Sequence, residues 1–342
     1  MRIPGALAAL TLLFSITLTG CGSGPEPTSE RDTSGALVVY SGRNEEFVGP
    51  ILADLEKAVG TKVEVRYGNT AELAAQLLEE GDRTEADVFF GQDAGALGAL
   101  AKADRLIPLG ADITSQVLPQ YADADGRWVA TSARARVIAY HPELAPEATR
   151  ITSVDQVLDP RYRGKVGVAP TNASFQSFVT AMRVDRGDAA TKDFLTRLQA
   201  NAKVYEGNSQ ILAAVDAGEI SLGLINHYYL HQLIKEEGPG QVKAKNHFLN
   251  NPDDPGSLIN VAGVGVIKGD DTNPAASKAV AFLLQKSAQE YMVGNNAEYP
   301  VVEGVVGPPD TPAIGDIKGF AVDLNSIDDL DGTLRLIQEV FS

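Results

Sequence analysis

Two adjacent tyrosines, Tyr228 and Tyr229, carry side chains that could bind a metal together. They follow Asn226 and His227 at the end of an apolar run, residues 222–225, and are expected on the first turn of a helix. Successive helical residues lie about 100° apart, so both phenols can converge on one point near the positive end of the helix dipole, which favours phenolate. Phenolate oxygen suits a hard, highly charged cation. A packing role, with one ring buried and one wet, is the alternative.

Anion chemistry is the second possibility that residue types suggest. Arg134 lies in the run SARAR, residues 132–136, and its rigid guanidinium fork could hold an anion or form a salt bridge. Residues 171–174 and Asn208-Ser209 each precede a predicted helix, and the free N–H groups of a helix start attract anions. Every helix has such a start, so each segment alone is a weak signal. The sequence leaves these roles open.

Other metal and enzyme chemistry finds little support. His227 and His231 are spaced i,i+4, but no HExxH pattern supplies the usual zinc context. A structural or solvent-facing role is favoured for them. The chain has no GxSxG, no phosphate-binding P-loop and no GxGxxG after a strand. These absences predict a binding protein rather than an enzyme.

Alternating strands and helices must position these residues. Strands are predicted at residues 36–40, 62–67, 86–90, 137–140, 166–169, 203–205, 222–225 and 260–267. Helices are predicted at residues 47–59, 70–80, 94–103, 174–186, 209–217, 227–237 and 275–294. This order is typical of parallel α/β sheets covered on both faces, here in two open lobes with a cleft between them. Ligands bind such sheets beyond the carboxyl ends of the strands. The loops of interest are therefore residues 40–44, 90–93, 169–174, 207–209 and 226–229.

The amino-terminal segment predicts export and lipid attachment. A short basic start and an apolar stretch, residues 3–18, form a signal peptide rather than a membrane span of roughly 20 residues. The stretch ends in LTGC, which resembles a bacterial lipobox with Cys21 as the lipidated residue. Cys21 is also the single cysteine, so no intrachain disulfide can form. Residues 22–35 are rich in Gly, Pro, Ser and charge and are expected to be a flexible tether.

Composition limits the class of partner. The formal net charge of −16 argues against nucleic acid and anionic lipid as partners. With 44% hydrophobic residues the chain can form a proper core, and the body is long enough for two lobes. No second apolar run reaches membrane length, so the mature protein is expected to be anchored rather than spanning.

Seven segments, taken in order, resemble the ferric-ion-binding proteins, the transferrin-like branch of bacterial periplasmic solute-binding proteins. They are VVYSGRNE, ADVFFGQDAGAL, GRWVATSARARVIAY, GKVGVAPTNASF, GNSQILAAVDAGEI, INHYYL and NNAEYPVV. The resemblance covers nearly the whole mature length. It implies a type II periplasmic-binding-protein fold, in which two crossover strands join two lobes around a ligand cleft. Residues 36–134 and 260–310 are expected in the N-terminal lobe, and residues 135–259 and 311–342 in the C-terminal lobe.

The resemblance also implies a ligand set. Tyr228 and Tyr229 are expected to coordinate Fe(III). A synergistic anion such as carbonate, phosphate or citrate is expected on Arg134, Asn172, Ala173, Ser174, Asn208 and Asn226. The expected partners are an ABC permease and its ATPase, reached by a monomer that a lipid holds at the outer face of the cell membrane. The alternative is the same fold binding an iron chelate or a metal-free oxyanion.

The chain departs from the family pattern at three positions. Asn44 and Gln92 stand where many members carry a histidine and a glutamate as further iron ligands, and Phe175 stands where others add a third tyrosine. Two phenolates bring only two negative charges to a trivalent ion, so iron binding is expected to depend strongly on the anion. Asp93 is the competing source of the missing charge. Asn44, Gln92 and Asp93 are thus possible secondary ligands.

Overall fold

The architecture is that of a computed structural model, which describes residues 35–269 and 272–341. The strands are β1 (Leu37–Ser41), β2 (Val63–Tyr67), β3 (Val88–Gly91), β4 (Trp128–Tyr140), β5 (Val166–Val168), β6 (Ala202–Val204), β7 (Leu222–Asn226), β8 (Lys245–His247) and β9 (Ile259–Val266). The helices are α1 (Glu45–Val59), α2 (Thr70–Glu80), α3 (Ala94–Lys102), α4 (Ala111–Thr114), α5 (Ala173–Asn201), α6 (Asn208–Asp216), α7 (Tyr228–Glu237), α8 (Pro274–Leu284), α9 (Lys286–Asn296) and α10 (Leu330–Phe341). The predicted signal peptide, Cys21 and nearly all of the predicted tether lie outside the described residues.

Local sequence explains where the first helix begins and ends. The Asn44 side chain accepts a hydrogen bond from the Glu46 amide at 2.9 Å, which caps α1. Gly60 then ends the helix in the left-handed region at φ 73°, where a residue without Cβ is favoured. The buried residues of α1 recur at helical spacing, so that one face packs on the sheet.

The sheet consists of two parallel halves joined by two antiparallel strands. Its order is β2-β1-β3-β9-β4-β7-β5-β6, and β8 pairs with β4. In the first half β1 is parallel to β2 and β3, and in the second β5 is parallel to β6 and β7. Strand β4 pairs with β9 over residues 128–135 and with β7 over residues 136–140. This is the predicted α/β, two-lobed type II architecture, with β4 and β9 as crossover strands.

A β-bulge interrupts β4 at Thr131. The pairing with β9 shifts between Ala130 and Ser132, so that Thr131 is the extra residue. Its carbonyl accepts a hydrogen bond from Gln289 Nε2 at 2.7 Å, and its hydroxyl donates to the Ala262 carbonyl at 3.3 Å. The carbonyl and the hydroxyl of the extra residue are therefore both hydrogen-bonded within the core, as buried polar groups require.

Three predicted elements differ from the structure. Strand β4 begins at Trp128, not at residue 137, because its first half mixes polar and charged residues that give no apolar run. The predicted helix over residues 275–294 is two helices, since Gln285 adopts an extended conformation between α8 and α9. The helix predicted at residues 174–186 extends to Asn201 as α5 across a kink at Gly187, whose φ is 75°.

Helix α10 was not predicted, yet it is packed firmly. It lies along α5, where Thr333 Oγ1 and Thr180 Oγ1 share a hydrogen bond of 2.8 Å and the Phe341 and Phe175 rings meet edge to face at 6.3 Å. Within the described part of the chain, no helix is both long and apolar enough to cross a membrane.

Candidate functional site

The tyrosine pair lies on the first turn of α7, as the sequence predicts. The Tyr228 and Tyr229 ring centroids are 4.4 Å apart with an interplanar angle of 31°. Tyr228 is buried and Tyr229 is partly buried. Burial raises the pKa of Tyr229 well above its ordinary value, and its hydrogen bond with the Tyr228 phenol adds to this, while Asn208 and Arg134 act in the opposite direction. The surroundings of Tyr229 therefore favour its protonated phenol.

Arg136 is the cation beside these phenols. Its Nη1 donates to the Ser174 carbonyl at 3.1 Å and its Nη2 to the Leu224 carbonyl at 2.9 Å. The guanidinium thus ties the start of α5 to the end of β7. Burial lowers the pKa of Arg136 to about 10, and the two phenols partly offset that effect. Arg136 was missed as a site residue, although it stands two positions from Arg134 in the SARAR run.

The predicted anion loops meet at the starts of α5 and α6. Asn172 Oδ1 accepts hydrogen bonds from the Ser174 amide at 3.0 Å and the Ser174 hydroxyl at 2.6 Å. Asn208 Nδ2 lies 3.1 Å from Ser174 Oγ and 3.4 Å from Asn172 Oδ1. Asn172, Ala173, Ser174 and Asn208 are therefore one cluster, and the Asn208 side chain also interacts with the Tyr229 phenol.

Two asparagines stand opposite the two arginines of β4. Arg134 pairs with Asn260 on β9, and Arg136 pairs with Asn226 on β7, so each pair shares a face of the sheet. Both asparagine Nδ2 atoms and Arg134 Nε are buried and have no hydrogen-bond partner. Buried donors without partners are costly, and an oxyanion would satisfy them. Asn226 is the last residue of β7, and the N-cap position of α7 is His227, which makes no side-chain cap hydrogen bond.

Arg134 is also part of an ion-pair network that sequence reasoning missed. Glu298 Oε2 lies 2.7 Å from Arg43 Nη2, and its Oε1 lies 3.4 Å from Arg134 Nη1. Burial alone would raise the pKa of Glu298, but the two guanidinium groups outweigh it and hold that pKa below its ordinary value. Arg43 and Glu298 fall in two of the segments that carry the family resemblance, VVYSGRNE and NNAEYPVV, but neither segment indicates that the two residues pair.

The possible secondary ligands sit mainly at helix starts. The Asn44 side chain is exposed and caps α1. Asp93 is buried, and its Oδ1 accepts a hydrogen bond from the Ala96 amide at 3.0 Å as the cap of α3. Burial raises the pKa of Asp93. Gln92 is partly buried, and its backbone amide donates to Thr70 Oγ1 at 3.2 Å. Asn44 and Asp93 thus already have partners for a side-chain oxygen.

His227 links the tyrosine loop to the segment after α9. Its Nδ1 accepts from the Ala135 amide at 3.3 Å, and its Nε2 donates to the Ala297 carbonyl at 2.9 Å. Its ring stacks on Tyr299 with centroids 4.5 Å apart. Burial lowers the pKa of His227 to about 3, so the ring is neutral. Nowhere in residues 35–269 and 272–341 do three or more His, Asp or Glu side chains gather as a metal site.

The sequence is similar to known proteins over most of its length. Residues 85–316 match the family described as bacterial extracellular solute-binding protein. The chain is 33% identical over 307 residues to the major ferric iron-binding protein of Neisseria meningitidis, covering 89% of this chain and 92% of the relative. The chain belongs to the bacterial ferric-ion-binding protein family. The Fe(3+)-binding periplasmic protein of Serratia marcescens is 31% identical, covering 84% of this chain and 85% of that protein.

Solved structures of the ferric-ion-binding family superpose on this fold. Iron-bound HitA from Pseudomonas aeruginosa aligns with a TM-score of 0.84 and 30% identity, covering 90% of this chain and all of that one. A Trichodesmium protein in complex with iron and citrate aligns with a TM-score of 0.73 and 25% identity, covering 90% of this chain and 99% of that one. Proteins of this family bind and transport solutes, which agrees with the predicted absence of enzyme chemistry.

One departure from the ferric-ion-binding pattern has a structural explanation. Phe175, at the place of a third tyrosine, is fully buried and packs edge to face on Phe178 at 5.9 Å. Its ring is part of the core under α5 and α10. Of these three aromatic positions, Tyr228 and Tyr229 are the two that carry a phenol oxygen.

Proposed function

We propose that this protein captures ferric iron together with a synergistic anion and delivers it to a membrane permease. The observation that carries the proposal is the pair of adjacent phenols at the start of α7, together with the buried donors without partners on Arg134, Asn226 and Asn260. Arg134 acts electrostatically on the Tyr229 phenol. Two phenolates would supply hard oxygen ligands, and the donors would hold an oxyanion that completes the coordination shell.

The charge balance explains why an anion belongs in the site. Two phenolates leave a trivalent ion with one positive charge. Arg134 and Arg136 add positive charge at the same face of β4, and Glu298 offsets only part of it because it is shared between Arg43 and Arg134. Enclosed positive charge is costly in a medium of low dielectric. An oxyanion on Arg134, Asn172, Ala173, Ser174, Asn208 and Asn226 would remove that cost. Gln92 stays a possible neutral ligand.

The lobe boundaries and the cell location are parts of the same proposal. Residues 36–134 with 260–310, and residues 135–259 with 311–342, form the two lobes. Support comes from β4, which exchanges β9 for β7 after Ala135, and from α10, which packs on α5 of the second lobe. The protein acts as a monomer outside the cytoplasm, held to the cell membrane by lipid on Cys21, and serves an ABC permease and its ATPase.

The test is the colour of the protein with iron. Phenolate bound to Fe(III) absorbs visible light through charge transfer, so wild type should develop a visible band when ferric iron is added. Replacing Tyr228 or Tyr229 by Phe keeps the ring and removes one oxygen, so the band should collapse while the unfolding free energy changes by about 1 kcal/mol. Tyr162→Phe is the matched control, because that phenol binds Glu147 at 2.8 Å instead.

The outcomes separate the rival ligands. Unchanged colour in both single variants would return the two tyrosines to a packing role. An iron chelate or a metal-free oxyanion is the second candidate, and the unpartnered donors of Arg134, Asn226 and Asn260 favour it. In that case phosphate or citrate would bind to iron-free wild type, but ferric iron would produce no phenolate band.

A further inference from the structure

Glu298 is a buried carboxylate between two guanidinium groups. It is 2% exposed and follows α9, one residue after Ala297, whose φ is 54°. Its Oε2 accepts hydrogen bonds from Arg43 Nη2 at 2.7 Å and from Ser132 Oγ at 2.9 Å. Its Oε1 faces Arg134 Nη1 at 3.4 Å. The three partners come from the loop after β1 and from β4, so the carboxylate joins segments far apart in sequence.

The two arginines are held unequally. Arg43 makes the short bond to Glu298 and places its other nitrogen, Nη1, 3.3 Å from Ser132 Oγ. Arg134 has two long contacts, to Glu298 at 3.4 Å and to the Val261 carbonyl at 3.4 Å, and its Nε has no partner. A guanidinium carries five N–H donors, so Arg134 retains unused capacity. Arg134 is therefore the guanidinium that is free to take another acceptor.

A charge count shows what Glu298 does at this position. Two buried guanidinium groups face one carboxylate, which leaves one positive charge in the network. Asp93 also interacts electrostatically with Arg134, but it forms no ion pair with that guanidinium, and its Oδ1 caps α3 through the Ala96 amide. An oxyanion approaching Arg134 meets attraction from the guanidinium and repulsion from Glu298. The strength of that repulsion depends on how closely Arg43 and Ser132 hold the carboxylate on their side.

We propose that Glu298 is an internal counter-anion for Arg134 and that its ion pair with Arg43 keeps the carboxylate away from Arg134. The Arg43–Glu298 pair then determines the affinity of the cleft for an external oxyanion. This rests on the proposed function, in which Arg134 contributes to anion binding. When the Glu298 carboxylate lies closer to Arg134, it neutralises the Arg134 guanidinium, and an external anion binds weakly. When Arg43 retains Glu298, the Nε edge of Arg134 is open to the anion.

The proposal predicts opposite effects for the two partners of one ion pair. Glu298→Gln keeps the shape of the side chain and removes the repulsion, so inorganic phosphate should bind iron-free protein about tenfold more tightly. Arg43→Met keeps the aliphatic stem and releases Glu298 toward Arg134, so phosphate should bind about tenfold more weakly. A purely structural ion pair predicts a loss of affinity in both variants, because breaking a buried pair distorts the site.

The experiment is isothermal titration calorimetry of iron-free protein with inorganic phosphate. Glu303→Gln is the control, since that exposed carboxylate lies five residues beyond Glu298 and should leave the affinity unchanged. Ser132→Ala is a milder change that removes one donor to Glu298. It should weaken phosphate binding severalfold and keeps the test decisive if a charge variant unfolds. Weaker binding in Glu298→Gln, or unchanged binding in both Arg43→Met and Ser132→Ala, would overturn the role of Glu298.

Iron titration of the same proteins separates this proposal from the one on which it rests. If wild type shows no phenolate band with iron, the proposed function fails. If wild type shows the band and binds phosphate, but Glu298→Gln and Arg43→Met shift phosphate affinity in the same direction, only the counter-anion role fails. The expected result is a band in all variants, with the phosphate needed to saturate it falling in Glu298→Gln and rising in Arg43→Met.

Discussion

Substitutions at Asp93 test whether its carboxylate binds the metal or only caps helix α3. Its sequence position made it the competing third ligand, whereas its Oδ1 accepts the Ala96 amide at 3.0 Å as the cap of α3. Two substitutions separate the roles. Asn is as good an N-cap as Asp, so Asp93→Asn should keep the cap and change the free energy of unfolding by less than about 1 kcal/mol. Ala removes the acceptor.

The magnitude for Asp93→Ala follows from burial. Loss of an N-cap costs about 1 kcal/mol, and a buried N–H left without a partner costs about 1–3 kcal/mol. Because Asp93 is 6% exposed, water replaces the lost acceptor poorly, so the cost for a buried N–H applies and about 2 kcal/mol is expected. Asn69→Ala is the matched control, since Asn69 caps α2 through the Ala71 amide at 2.9 Å but is exposed, and about 1 kcal/mol is expected there.

The assays are urea unfolding followed by far-ultraviolet circular dichroism and ferric-iron titration followed by visible absorbance. Asp93→Asn should keep the position and intensity of the phenolate band, with an iron affinity within about tenfold of wild type. If Asp93→Asn instead loses the band while its unfolding free energy matches that of wild type, the carboxylate is a metal ligand. The interpretation that Asp93 only caps α3 would then be refuted.

Two further predictions concern acid stability and the membrane anchor. The pKa of His227 is about 3 in the folded protein and about 6.5 in the unfolded chain, so protons bind preferentially to the unfolded chain. The stability present above pH 6.5 should therefore be lost as pH falls toward 3, at up to about 1.4 kcal/mol per pH unit. Urea unfolding across this range should show the slope, and His227→Gln should flatten it; an equal slope in the variant would contradict this. Mass spectrometry of membrane-extracted protein should find acyl groups on Cys21, and a soluble mature chain that begins beyond Cys21 would rule the anchor out.

Local features of the fold and site were predictable because short segments determine them. Helix α2 has the predicted bounds, and the Tyr228–Tyr229 pair falls on a first helical turn because an apolar strand and a polar loop precede it. The loop cluster at the starts of α5 and α6 was also predictable, since parallel strands end at one edge of a sheet. In each case, the pattern that determines the structure lies within about ten residues.

Features that depend on contacts distant in sequence were not predictable. The Arg43–Glu298 pair joins residues 255 positions apart, and neither residue type in its own segment indicates that the other is near. The first half of β4 mixes polar residues and the buried Arg134, whose ion-pair partner Glu298 is distant in sequence, so no apolar pattern indicates a strand. The break at Gln285 likewise depends on packing, because the residues around it favour one continuous helix.

The bulge at Thr131 shifts the alternation of β4 by one residue and thereby determines which side chains lie on the face that carries Arg134 and Asn260. Trp128 and Arg134 both occupy even positions, and strict alternation would put them on one face. Instead, Trp128 shares a face with Gly265, and Arg134 shares the opposite face with Asn260, because the extra residue shifts the register by one. Even-numbered side chains of β4 therefore lie on the core face before the bulge and on the polar face after it. An alignment of relatives by strand alternation alone would place these arginines in the hydrophobic interior, and a gap of one residue at Thr131 would exchange the two faces.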